Sequence, residues 1–178
     1  VREVKVFEEK YGKEIPVIAA GGIYDGNDMY SIMAKGAKGV QLGSRFVTAI
    51  ECDASDVFKQ QYIDASENEV EIIQSPVGMP GRAIGNAFID KVKQGLKMPK
   101  VCPFHCIKTC DISKSPYCIV TALYNAAKGN MKNGYAFAGT NAFKATQIST
   151  VKEVMNDLVD GFKKKAEEAQ QKIQNILA

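Results

Sequence analysis

Two short stretches carry residues whose types and spacing suit the binding of an anion. Gly21 and Gly22 close the apolar run at residues 15–20 (IPVIAA), and Gly43 and Ser44 close a second run at 39–42 (GVQL), one helix-length further on. After a buried parallel strand, the backbone N–H groups of the following turn and of the next helix's first turn point outward, with the positive end of a helix dipole behind them. Glycine lets the backbone approach a phosphate, and the Ser44 hydroxyl adds a donor. One Gly-Gly pair alone would read as a tight strand-to-helix connection. Two matching turns on consecutive strands favour a phosphate site.

A second cluster, "CPFHCIKTCDISKSPYC", gathers Cys102, Cys106, Cys110 and Cys118, four of the five cysteines, around the sole histidine, His105. Thiolates at that density could take zinc or an iron–sulfur cluster. The spacing argues partly against it. On a continuous helix Cys102, Cys106 and Cys110 share a face but climb about 6 Å per step, leaving the outer two roughly 12 Å apart. The x3, x3 and x7 spacings also match none of the C-x2-C pairs of zinc sites. The expectation is therefore no bound metal, with thiols packing a loop or forming a reactive pair; for all four to meet, the loop must unwind. Cys52 reads as a core residue, and a disulfide framework is not expected in a cytosolic chain of this size.

The elements that must position these residues follow from apolar pattern and punctuation. The runs at 15–20 and 39–42 lack alternation, as parallel strands buried on both faces do. Between them Asp25 or Asn27 can cap a helix through Met29, Ile32 and Met33, and Gly36 suits its end, giving one βαβ unit. Val4, Phe7 and Tyr11 keep helical spacing in a chain that opens on Val1, so sequence before it is expected. Further helices are expected near 55–65 and through Ala87, Phe88, Val92 and Leu96, with a short apolar run at 70–74 and a loop "SPVGMPGRAIGN" between them. Thr150 and Glu153 form a capping box ahead of an apolar stripe from Val151 to Phe162, and beyond Lys163 the helix turns polar and is expected to fray.

Composition fits a globular chain. Of 178 residues, 46% are hydrophobic and 24% charged, enough for a sizeable core. The net charge of +3 is scattered, and the run at Lys163–Lys165 is followed by Glu167 and Glu168, so nucleic acid is not an expected partner. No apolar run approaches the roughly 20 residues that span a bilayer, and residues 1–14 lack the apolar core of a signal peptide. A cytoplasmic location without membrane association is the resulting expectation.

Taken in order, "PVIAAGGIYDG" and "GAKGVQLGSRF" resemble the nitronate monooxygenase and enoyl-ACP reductase II group, FMN-dependent (β/α)₈ oxidoreductases once grouped as 2-nitropropane dioxygenases. The likeness continues through "SPVGMPGRAIGNAFI" and "YAFAGTNAFKATQISTVKEVMNDLV". It implies that Ala20, Gly21, Gly22, Gln41, Leu42, Gly43 and Ser44 contact the phosphate and ribityl chain of FMN. Two adjacent turns of this kind also match the phosphate site after the seventh and eighth strands of such a barrel. The expected architecture is α/β, the C-terminal part of a (β/α)₈ TIM barrel with a mostly helical extension. Residues 1–50 would be its last βα units, 51–135 a helical insertion with the cysteines, and 136–178 a flavin-proximal loop and terminal helix.

The implied activity is oxidation of alkyl nitronates with O₂. The alternatives are NAD(P)H-dependent reduction of an enoyl thioester, or a non-catalytic phosphate-ligand binding fragment. The family's catalytic histidine precedes the AGGI turn, so His105 is not assigned that role and the catalytic residues are unknown. Expected partners are a small-molecule substrate, NAD(P)H for the reductase reading, and the missing N-terminal part of the barrel or another chain. A partial barrel would expose sheet edges, so the isolated chain is expected to be poorly stable or a homo-oligomer. Arg45 and Arg82 could each meet an anion or a carboxylate, Tyr24 and Phe46 read as packing residues, and 136–142 (AFAGTNA) as a loop that could approach a flavin edge.

Overall fold

A computed structural model describes residues 2–96, 102, 104–108 and 110–177. Val1, with which the chain opens, and Pro103 of the cysteine segment lie outside the described residues. Helices α1 (Arg2–Tyr11), α2 (Gly26–Met33) and α3 (Ser44–Val47) alternate with strands β1 (Ile18–Ala20) and β2 (Gly39–Gln41). There follow α4 (Asp56–Asp64), strands β3 (Val70–Gln74) and β4 (Pro80–Ile84), α5 (Ala87–Lys93), α6 (Ile119–Ala127) and α7 (Val151–Leu177). The chain divides into two compact units, Val1–Ile50 with Ser149–Ala178, and Glu51–Ile148. Residues 136–148, grouped from sequence with the terminal helix, thus belong with 51–135.

In the first unit β1 and β2 pair in parallel, Ile18 opposite Gly39, Ala19 opposite Val40 and Ala20 opposite Gln41. Helix α2 is the crossover between them. Asp25 is its N-cap, accepting from the backbone of Asn27 and Asp28 at 2.9 Å each, and Gly36 takes φ +102 beyond its end. Burial departs from expectation: Ile18 is 55% exposed rather than covered on both faces. Among the described residues no third strand joins this sheet, so both of its edges lack a strand partner.

Helix α7 begins in the capping box read from sequence. Thr150 Oγ1 accepts from the Glu153 N–H at 3.1 Å, while Glu153 Oε2 accepts from the Thr150 N–H at 2.7 Å and its hydroxyl at 2.8 Å. Those bonds favour the charged form and hold the Glu153 carboxyl below its usual range. Instead of fraying after Lys163, the helix runs 27 residues to Leu177. A Lys165–Glu168 pair at 3.0 Å sits in its polar half, the neighbour spacing that supports an exposed helix.

The second unit is less helical than the sequence suggested. Residues 80–84, read as loop, are strand β4, antiparallel to β3 with Ile72 opposite Arg82. Proline is tolerated at the first residue of a strand, and Gly81 is needed there because a Cβ would collide with the Phe137 ring. Residues 136–138 add to β4's other side: Ile84 N donates to the Ala136 carbonyl at 3.0 Å and Ala138 N to that of Arg82 at 2.9 Å. Over this sheet packs a core of Ile73, Ala83, Phe88, Ile89, Tyr117, Ala122 and Tyr135. Leu96 falls outside α5, since the helix ends at Lys93 and Gly95 takes φ +79.

Tyr62 ties α4 to this layer. Its side chain is 2% exposed and its hydroxyl donates to the Phe137 carbonyl; burial pushes the phenol far up, so it remains a donor at any ordinary pH. Tyr62→Phe leaves that carbonyl without its donor. The expected loss is about 1–3 kcal/mol, the cost of an unsatisfied buried polar group, read as a lower urea midpoint with an unchanged slope. An unchanged midpoint would show that water replaces the hydroxyl.

Candidate functional site

Because Ala20 stands opposite Gln41, the chain leaves β1 and β2 side by side at the same end of the sheet. Gly21 and Gly22 turn away with φ +87 and +70, left-handed values that side-chain-bearing residues rarely adopt. Gly43 forms the N-cap of α3, with φ −112. A Cβ built on Gly21, Gly22 or Gly43 would meet nothing within 4 Å. The glycines therefore border open space, and they are not there to relieve crowding inside the protein. Ala20, Gln41 and all three glycines are exposed, with Leu42 and Ser44 half-buried.

The structure narrows the anion site in one respect. The sequence suggested that α2's first turn would present unpaired N–H groups, but Asp25 occupies them, and Asp28 Oδ2 accepts from Tyr24 N at 3.0 Å. Two carboxylates at that helix end repel a phosphate. What remains suited to an anion is the pair of glycine turns themselves.

Arg45 resolves toward its carboxylate reading. Its guanidinium pairs with Asp157 of α7 at 3.1 Å, with its own side chain only 14% exposed, and it lies 5.0 Å from the centre of the Tyr24 ring. Burial pushes the Tyr24 phenol up, partly offset by the Arg45 charge. Tyr24, 7% exposed, is a packing residue, as the sequence indicated. Arg82 is held in β4, and residues 136–138, the start of the 136–142 stretch, lie beside that strand in the second unit.

The cysteine segment departs from the helix assumed in judging its spacing. Residues 104–108 are not helical, and His105 adopts φ +44. Cys102, His105, Cys106, Cys110 and Cys118 all line one cavity of about 270 Å³, walled also by Val77, Ile107, Ile112 and Ile119. All five cysteines are free thiols. Cys118 sits at the N-cap of α6. Burial alone would raise its pKa, but hydrogen bonds from the Thr121 hydroxyl and from the N–H groups of Thr121 and Val120 outweigh it and leave the thiol more acidic than usual. Sequence reasoning missed this placement, although the apolar run from Ile119 signals the helix.

A parallel βαβ unit whose two glycine turns open at one end of the sheet is an arrangement of anion-binding α/β proteins. Residues 4–161 match the nitronate monooxygenase family, and the chain belongs to that family. A probable nitronate monooxygenase of Staphylococcus saprophyticus subsp. saprophyticus is 40% identical over 80 residues, 45% of this chain and 22% of that protein. One from Staphylococcus aureus (strain Newman) is 39% identical over the same shares. Among solved structures, FabK from Thermotoga maritima is similar with a TM-score of 0.71 and 29% identity, over 89% of this chain and 47% of its own. Nitroalkane oxidase from Streptomyces ansochromogenes shares the fold, with a TM-score of 0.64 and 21% identity over 90% of this chain and 43% of its own. The chain thus spans under half the length of these two structures, and the curated matches cover about a fifth of theirs. Among the described residues no helix is long and apolar enough to cross a membrane.

Proposed function

We propose that this chain is the phosphate-holding part of an FMN-dependent oxidoreductase that oxidises alkyl nitronates with O₂. The observation that carries this reading is the alignment of Gly21–Gly22 with Gly43 at one sheet end, bordering space that a Cβ would enter. Ala20, Gly21, Gly22, Gln41, Leu42, Gly43 and Ser44 would hold the phosphate and ribityl chain, by backbone N–H groups and the Ser44 hydroxyl. Bound FMN supplies the electron chemistry; these residues fix its position by its charged end. Further strands of a (β/α)₈ barrel, from preceding sequence or another chain, would cover the bare edges of β1 and β2. The same phosphate site would equally serve reduction of an enoyl thioester by NAD(P)H, the choice resting with residues on the substrate side of the ring.

FMN and riboflavin differ only in the phosphate, so their affinities isolate the proposed contact. Titrated into the purified protein and followed by quenching of flavin fluorescence, FMN is expected to bind at least about 100-fold more tightly, since two charge-assisted hydrogen bonds contribute roughly 1.5–3 kcal/mol each. Equal affinity for the two would exclude the glycine turns as a phosphate site.

A further inference from the structure

The thiol-lined cavity belongs to the second unit, whereas the glycine turns belong to the first. Cysteines that merely pack a core behave as small hydrophobes and need no shared space. Here four of them border one cavity of about 270 Å³, and most other walls are apolar: Pro76, Val77, Ile107, Ile112 and Ile119. The sequence objection to a metal group was that a continuous helix would hold Cys102 and Cys110 apart. That objection falls, because residues 104–108 are not helical and His105, at φ +44, redirects the chain. The turn also aims a donor at sulfur: His105 N–H points to Cys102 Sγ at 3.3 Å. Backbone N–H groups directed at cysteine sulfur are a feature of iron–sulfur sites, where they stabilise the ligating thiolates.

The two kinds of metal group differ in what they ask of their ligands. A single tetrahedral zinc ion requires four sulfurs about 2.3 Å from one point. Among the described residues no three His, Cys, Asp or Glu side chains are drawn together closely enough to hold an ion. A cubane cluster offers each thiolate its own iron and occupies the volume between them, so it tolerates a wider ring of ligands. Lys108, on the same wall, offsets the negative charge such a ligand set carries.

We propose that Cys102, Cys106, Cys110 and Cys118 hold a [4Fe–4S] cluster in this cavity. Uptake of a preassembled cluster exchanges its labile ligands for the four cysteine thiolates. The four thiol protons pass to solvent, and no electron is transferred. Flavin absorbs in the same visible region as a cluster, so the test is chemical rather than optical: iron, zinc and acid-labile sulfide measured on the full chain, purified anaerobically from iron-supplemented cells. The expected result is about four iron and four sulfide per chain. In Cys106→Ala/Cys110→Ala both fall to background, while Cys52→Ala, outside the cavity wall, keeps the wild-type content. Wild-type protein without iron and sulfide overturns the proposal, as does one equivalent of zinc in their place. Full iron and sulfide in the double variant overturns it too. The wild-type stoichiometry stands as a test even if the double variant does not fold.

Discussion

Gly43→Val is expected to abolish tight FMN binding while leaving the circular dichroism spectrum and melting behaviour of the protein unchanged. A valine Cβ at this position meets no protein atom within 4 Å, and the backbone at φ −112 and ψ −68 is open to residues other than glycine. The fold therefore has no reason to object. The two added methyl groups instead occupy the space bordered by the glycine turns, where the flavin phosphate would approach. Losing two charge-assisted hydrogen bonds, at roughly 1.5–3 kcal/mol each, weakens FMN on the order of 100-fold or more and riboflavin far less. Gly22 gives a less clean version of the same test. Its φ of +70 strains any other residue, by roughly 1–2 kcal/mol, so lost flavin there would mix steric exclusion with a distorted turn. Retention of FMN by a well-folded Gly43→Val protein would move the site elsewhere.

The part of this site that was legible in the sequence is the part made by backbone. Unbroken apolar runs ending in glycine specify strands and turns, and one helix-length of chain between them specifies a parallel pair, but the burial on both faces that such runs imply is not found, Ile18 being 55% exposed. Asp25 was one of two caps the sequence allowed. What it could not show was that filling the cap withdraws α2's first turn from ligand binding, because a carboxylate there serves equally as cap and as rival to a phosphate. Arg45 was balanced between phosphate and carboxylate until Asp157, more than a hundred residues away, decided it.

The second unit was harder to read for a related reason. Pro80 and Gly81 punctuate a local pattern as a loop, yet their roles are set by tertiary contact: one opens a strand, and the other makes room for the Phe137 ring. Residues 136–138 join that strand through bonds that bridge more than fifty residues of chain, so no local window separates them from the following helix. The spacing of the cysteines was weighed against a continuous helix, with an unwound loop as the alternative. Helical periodicity was applied to a stretch where His105 at φ +44 breaks it.

Gly26→Ala is expected to be the most damaging small substitution in the first unit. Helices α2 and α7 cross at Gly26 and Gly161 with almost no side chain between them, and Tyr30 packs edge-on against Phe162, ring centres 5.5 Å apart, beside the crossing. An added Cβ at Gly26 would collide with the backbone nitrogen of Phe162 and with the Leu158 carbonyl, atoms that cannot rotate away. The helices must separate, at a cost of about 3 kcal/mol or more, the upper range for overpacking. Gly161→Ala probes the same crossing from the other side. There the nearest atom is the Gly26 Cα at 3.2 Å, a contact relieved by a small shift, and replacing a mid-helix glycine returns roughly 0.8–1.0 kcal/mol of helix propensity. The two effects roughly cancel, so Gly161→Ala is expected near neutral. Urea denaturation of both variants reads the difference directly: a large drop in midpoint for Gly26→Ala beside little change for Gly161→Ala marks a crossing that admits no side chain at residue 26. Equal, small effects would mean that α7 is not seated against α2 in this way.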